Sequence, residues 1–266
     1  MNMQRLAELF RLTGRVALVT DVGVHFSADV APLLAAAGAS VLIADRESSK
    51  AEALARAIAD EGGHAQVVTT DIEDESSVEA LFRQIDDAHG QLDILVNCAG
   101  MTANQPLLET SMAQFDDLCS LNLRSTFMLV RDGVRLMKKG GGGRIVNITT
   151  MGTLHPVLNG NAAYGASRSG VTAMSRSIAL DHAADGILCN NVLPGAIPGK
   201  TAFHPTTQAA LASGRGLSGP ATQERRLPLG YGKGADVAAA VLYLVGPAGS
   251  YITGQTLVLD GGFLCT

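Results

Sequence analysis

Seven strand-length apolar runs, separated by longer amphipathic stretches, constrain this chain more than any other feature. They are Val16–Thr20, Ser40–Asp45, Ala65–Thr70, Leu92–Asn97, Arg144–Thr149, Ile187–Leu193 and Thr256–Leu259, several of them apolar at almost every position. A strand with one wet face alternates polar and apolar residues, so an unbroken run marks burial on both faces, as in a parallel sheet covered by helices. Between the runs, helical spacing predicts helices near 28–37, 48–61, 75–88, 111–138, 162–184 and 235–246. Strands and helices in alternation predict an α/β architecture, a doubly wound, mainly parallel, seven-stranded sheet flanked by helices. Local punctuation agrees: Gly62-Gly63 closes the second of these helices, Asp74 to Ser77 supplies an acidic, cap-competent start to the third, and Gly140 to Gly143 separates the long helix from the fifth strand.

The length of 266 residues is compatible with one large α/β core, and one domain over 1–266 is the expectation. Charged residues make up 17%, apolar residues 47%, and the net charge is −5, which fits an enzyme-like core and argues against nucleic acid as a partner. No run approaches the roughly 20 apolar residues of a membrane span, and segment 1–14 reads as a short helical arm rather than a signal peptide. Cys98, Cys119, Cys189 and Cys265 show no CxxC or His pairing, so no metal site or disulfide framework is expected, and a cytoplasmic setting fits. The segment 196–234, rich in Gly, Pro, Ser and Thr, is the one long irregular stretch and reads as a substrate lid or as a disordered insertion.

Within this frame Val16 to Arg46 has the plan of a dinucleotide-binding βαβ unit, a strand, a tight turn, a helix and a second strand ending on an acid. Further signals follow in order: Thr70-Asp71, Asn97-Cys98-Ala99-Gly100, Asn122 in SLNL, the strand RIVNITT, Tyr164 in YGASR, Pro194-Gly195, and the ending YITGQTLVLDGG. In these motifs and their spacing the chain resembles the classical short-chain dehydrogenase/reductase family over nearly its whole length. The resemblance implies a Rossmann-like fold and hydride transfer between a nicotinamide cofactor and a small alcohol or carbonyl substrate. It also implies a homotetramer or homodimer, using the helices around Tyr164–Asp181 and Asp236–Val245; the apolar Val171, Met174 and Ile178 suit that interface and suit burial within one subunit equally.

Carried over residue by residue, the resemblance makes Tyr164 the acid/base on the substrate oxygen and Thr150 the hydroxyl that steadies it, with Thr149 as the second candidate. The family's lysine, one helical turn after the tyrosine, is Arg168 here; arginine keeps the positive charge but does not pass protons. Asn122 matches an asparagine whose backbone carbonyl holds a relay water, and packing is the other reading. Asp45 matches the acid that binds the adenosine ribose and repels a 2′-phosphate, favouring NAD(H) over NADP(H), against which neighbouring Arg46 counts. Asp71 and Ile72 match residues beside adenine; Asn97, Ala99 and Gly100 the segment beneath the ribose; Pro194, Gly195 and Ile197 the loop at the nicotinamide. Gly199 stands where the family often has a threonine for the carboxamide, and His155 lies between Thr150 and Tyr164 as a pocket or loop histidine.

The phosphate turn departs from the family pattern TGxxxGxG. It reads Thr20-Asp21-Val22-Gly23-Val24-His25-Phe26-Ser27, so Asp21, His25 and Ser27 replace all three glycines, and Asp21, Gly23, His25 and Phe26 become the residues that would meet the diphosphate. Each replacement brings a Cβ toward that contact. Across about 5 Å, a carboxylate at position 21 opposes phosphate by about 1 to 3 kcal/mol at an effective dielectric of roughly 20 to 80. Two hypotheses follow: an NAD(H)-dependent oxidoreductase with weakened cofactor binding, and a member of the fold without redox function. The second would be a noncatalytic oligomer partner or a cofactor-independent lyase, isomerase or hydrolase working in the Tyr164 cleft.

Overall fold

The computed structural model describes residues 3–21 and 26–266. Seven strands form one sheet: β1 (Val16–Thr20), β2 (Ser40–Asp45), β3 (His64–Thr69), β4 (Ile94–Asn97), β5 (Gly143–Ile148), β6 (Ile187–Pro194) and β7 (Thr256–Leu259). Their order is β3-β2-β1-β4-β5-β6-β7, and every pairing is parallel. The central strands are buried at every position, as their unbroken apolar character requires, whereas β3 at the sheet edge alternates and exposes every second residue or so.

The helices are α1 (Met3–Glu8), α2 (Ser27–Ala36), α3 (Ser48–Asp60), α4 (Glu75–His89), α5 (Met112–Cys119), α6 (Ser125–Lys139), α7 (Ala162–His182), α8 (Pro205–Ala212) and α9 (Gly234–Val245). α2, α3 and α9 cover one face of the sheet through Val30, Leu34, Ile58, Val237 and Val241. α4, α6 and α7 cover the other through Val78, Leu81, Phe82, Leu129 and Ala179. Successive residues of β1 alternate between the two cores, Ala17 and Val19 into the first and Val16 and Leu18 into the second. The arm is helical only over α1, and Leu12 after it is buried in the first core.

Two boundaries correct the sequence reading. The stretch expected as one helix over 111–138 is α5 and α6 joined by a π-helical turn, Ser120–Arg124, begun by a capping box between Ser111 and Gln114. Segment 196–234 is not wholly irregular, because α8 lies inside it; the His204 side chain accepts from Thr206 N at 3.3 Å, and Pro205 occupies the first turn. Among the described residues no helix is long and apolar enough to cross a membrane, and no group of His, Cys, Asp or Glu is arranged to hold a metal.

Candidate active site

The sheet order reverses direction between β1 and β4, and the crevice at that switch point, beyond the carboxyl ends of the strands, is where doubly wound sheets take ligands. The candidate residues collect there. Asp21 follows β1, Asp45 ends β2, Asp71 follows β3, Asn97 ends β4, Thr149 follows β5 and Pro194 ends β6.

Asp21 sits at φ 60°, the one non-glycine residue with positive φ among those described, and its N–H donates to the Ala44 carbonyl at 2.9 Å. The backbone has thus kept a conformation suited to glycine while the residue has changed. Gly23 and His25 lie outside the described residues. Phe26 flanks the start of α2, and Ser27, its first residue, is fully buried with no hydrogen-bond partner for Oγ. Its neighbour Asp29 is the carboxylate in the first turn of α2, where the helix dipole favours it.

On the adenosine side, Asp45, Arg46, Thr70 and Ile72 line a cleft of about 240 Å³. Asp45 Oδ1 accepts from Glu47 N at 2.6 Å, which aims the carboxylate along the cleft wall. Arg46 is committed elsewhere: Nη2 donates to Asp71 Oδ1 at 2.6 Å and to Glu73 Oε2 at 3.2 Å. These acids, Asp71 foremost, raise the Arg46 pKa above its usual value, while the Arg46 side chain stays largely exposed. Lys50 pairs with Glu47 at 3.1 Å. Asp71 Oδ1 also accepts from Glu73 N at 3.0 Å.

Beside β4 and β5, Tyr164, Arg168, Thr149, Cys98, Gly100, Phe26, Lys200 and Thr201 line a small cavity of about 50 Å³, room for a few waters. Arg168 is 5% exposed; its Nη2 donates to the Ala99 carbonyl at 2.8 Å, its Nε has no partner, and its guanidinium carbon stands 5.9 Å from the Tyr164 ring centre. The guanidinium lies so close over Gly100 that a Cβ there would meet Nη2 at 1.3 Å. Thr149, not Thr150, lines the cavity, and its buried Oγ1 is unpartnered. Thr150 caps the 3₁₀ turn Met151–Thr153 by accepting from Gly152 N at 3.1 Å. Burial pushes the Cys98 thiol well above its usual value, and Asp21 and Asp29 push in the same direction.

Asn122, at the centre of the π-helical turn, has a visible side-chain task. Oδ1 accepts from Met101 N at 2.8 Å, while Nδ2 donates to Met101 O at 2.8 Å and to Ser167 Oγ at 3.0 Å. It therefore ties the loop after β4 to the helix that carries Tyr164 and Arg168. Asn97 Nδ2 donates to Asn147 Oδ1 at 2.7 Å, linking β4 to β5 beneath the cavity. His155 stands apart from the tyrosine, with Nδ1 2.7 Å from Pro156 O and its ring edge-on to Phe263.

The segment after β6 closes the cavity. A Cβ on Gly195 would come 2.6 Å from Asp260 Cα, so glycine is required where β6 passes the end of β7; Ile197 packs into the first core. Gly199 has φ +73°, the left-handed residue of a Pro198-Gly199 turn. The chain then runs back over the crevice. Thr102 N donates to Ala202 O at 2.9 Å and His204 N to Thr102 O at 2.7 Å, and Lys200 Nζ reaches Asp29 on α2. Lys200 and Asp29 escaped the sequence reading, which took Gly199 only as a missing threonine; the Pro-Gly turn before a lysine was the available signal.

A doubly wound sheet with a half-buried Tyr164 beside the buried Arg168 at its crevice defines a Rossmann-type scaffold. A family model described as enoyl-(acyl carrier protein) reductase matches residues 26–264. An uncharacterised oxidoreductase of Mycobacterium tuberculosis is 38% identical over 262 residues, 97% of this chain and 95% of that protein. A D-threitol dehydrogenase of Mycolicibacterium smegmatis is 31% identical over 255 residues, 96% and 94% of the two. The crystal structure of a dehydrogenase/reductase from Sinorhizobium meliloti superposes with a TM-score of 0.86 at 31% identity, over 98% of this chain and 99% of that one. The chain belongs to the short-chain dehydrogenase/reductase family of oxidoreductases.

Proposed function

We propose that this protein interconverts a small alcohol and its carbonyl with NAD(H). The observation that carries the reading is the arrangement at the switch point, a ribose-competent acid at the end of β2 and a Tyr-Arg pair beside β4 and β5, with unsatisfied buried donors between them. Ser27 Oγ, Thr149 Oγ1 and Arg168 Nε, three of the eight buried side-chain atoms without partners among the described residues, lie at this crevice and are available to a ligand. When bound, the nicotinamide supplies or takes the hydride.

Tyr164 exchanges a proton with the substrate oxygen, and its hydroxyl holds no hydrogen bond among the described residues. Thr149 Oγ1, which lines the cavity beside Tyr164 and has no partner, is the hydroxyl placed to donate to the same oxygen, and Thr150, the family's position, holds the turn next to it through Gly152 N. Arg168 keeps a fixed positive charge beside the phenol and anchors the Ala99-Gly100 floor, but relays no proton. Asn122 holds the floor and the tyrosine helix in register. The reading favours NAD(H) over NADP(H), since Asp45 lines the cleft at the end of β2 and Arg46 and Lys50 are paired with Asp71, Glu73 and Glu47. Segment 196–234 serves as the lid of one domain over 1–266, its Lys200, Thr201 and Ala202 lining the cavity beside Tyr164. An apolar groove of Leu123, Phe127 and Met174 supports a homo-oligomer, and four unpaired cysteines suit a reducing cytoplasm.

Fluorescence titration with NADH and NADPH, followed by turnover on a panel of polyols and cyclic alcohols that includes threitol, tests the reading. Binding of NADH with at least tenfold preference and turnover lost in Tyr164→Phe is the expected result. No NADH binding at millimolar concentration overturns it in favour of a cofactor-independent member of the fold.

A further inference from the structure

Between β1 and α2 the three glycines of the family pattern are replaced by Asp21, His25 and Ser27, and the crevice beside them holds a cation. Pro198 and Gly199 reverse the chain, with Gly199 at φ +73°, and set Lys200 against the first turn of α2, where its ammonium pairs with Asp29. The two side chains are only 22% and 26% exposed, and they join segments 171 residues apart. Room for the Asp29 carboxylate is made by Gly234, where a Cβ would come 2.2 Å from that group. Lys200 shares its cavity with Arg168 and Thr149, each with a buried unpartnered polar atom, and Ser27 Oγ at the head of α2 is buried and unpartnered as well. Cys98 lines the same cavity as Arg168 and Lys200.

We propose that Lys200 is a diphosphate-binding residue, held in waiting by Asp29, and that its side-chain charge supplies anion affinity where the family pattern's glycines at positions 21, 25 and 27 are replaced. Asp29 occupies the position at the helix start that an anion favours. A diphosphate carries more charge than a carboxylate and takes Lys200 from it, drawing on Ser27 for a further hydrogen bond. Bringing Lys200 across requires the Pro198-Gly199 turn, which accounts for glycine where the family often has threonine. The proposal rests on the dinucleotide reading but concerns one residue and one charged group.

The test compares adenosine, ADP, inorganic pyrophosphate and NADH by calorimetry on wild type, Lys200→Met, Lys200→Arg and Asp29→Asn, each checked by thermal melting. Expected are a loss of ADP and pyrophosphate affinity of about tenfold or more in Lys200→Met, adenosine binding unchanged, retention in Lys200→Arg, and tightening of about tenfold in Asp29→Asn, which removes a like charge without changing shape. ADP binding that Lys200→Met leaves unaltered overturns the proposal, as does an equal loss for adenosine. If Lys200→Met fails to fold, Asp29→Asn decides, and unchanged ADP affinity there counts against the proposal. Wild type that binds ADP through Lys200 but no NADH overturns the oxidoreductase reading alone. NADH binding insensitive to Lys200 overturns this inference alone, and no binding of any phosphate compound overturns both.

Discussion

Asp21 combines two penalties at one position. Its φ of 60° costs a non-glycine residue roughly 1 to 2 kcal/mol, less for Asp than for most because its short polar side chain tolerates the left-handed region. Its charge opposes the diphosphate by about 1 to 3 kcal/mol. Asp21→Gly is expected to tighten NADH binding by about one to two decades with no loss of thermal stability, read by fluorescence titration and a melting curve. Tyr164→Phe is expected to lower turnover by about 10² to 10⁴ while NADH affinity stays within twofold, because a phenol that only exchanges a proton takes no part in holding the cofactor. Steady-state kinetics beside equilibrium binding separates the two.

At the scale of elements, the π-helical turn at Ser120–Arg124 points the Asn122 side chain across a gap between the loop after β4 and α7. Three hydrogen bonds at roughly 0.5 to 1.5 kcal/mol each, with buried backbone groups left behind, make Asn122→Ala cost about 2 to 4 kcal/mol in urea unfolding. Turnover is expected to fall further than stability does, since the floor beneath Gly100 and the helix carrying Tyr164 then move independently. The sequence reading left Asn122 between relay and packing, and could not choose. Its partners Met101 and Ser167 lie 21 and 45 residues away, and their proximity follows from how α5, α6 and α7 pack.

In the whole molecule, the C-terminal tail closes a third small core. Phe263 is fully buried against Met151, Val157 and Leu227, the Arg226 guanidinium stacks 4.3 Å from its ring centre, and Arg226 Nη2 donates to Thr266 O at 2.7 Å. This ties the C-terminal residues to both segment 196–234 and the loop after Thr150. Phe263→Ala is expected to destabilise the protein by about 3 to 5 kcal/mol in chemical denaturation, with protease cleavage in 196–234 appearing before global unfolding. The cysteines report the same packing. Burial pushes Cys189 up to about 12 and Cys98 upward as well, so both remain protonated and shielded at pH 8. Alkylation of the native protein at that pH is expected at exposed Cys265 and to spare Cys98 and Cys189, with mass spectrometry locating the label.

The sequence by itself determined the sheet and its neighbours. Unbroken runs such as Val16–Thr20 are buried on both faces whatever the detail, and the strand-helix alternation leaves one architecture that covers them. The family resemblance carried by its motifs also singled out Asp45, Tyr164 and Arg168, and in the fold Asp45 lines one cleft at the crevice and Tyr164 and Arg168 the other. Only the tertiary structure decided what these residues touch. That Arg168 spends its guanidinium on Ala99, that Arg46 is neutralised by Asp71 and Glu73, and that Lys200 crosses to Asp29 are contacts between segments far apart in the chain. Local patterning carries no record of them, since a side chain's pairing depends on the distances that the packing of the whole sheet and its helices sets.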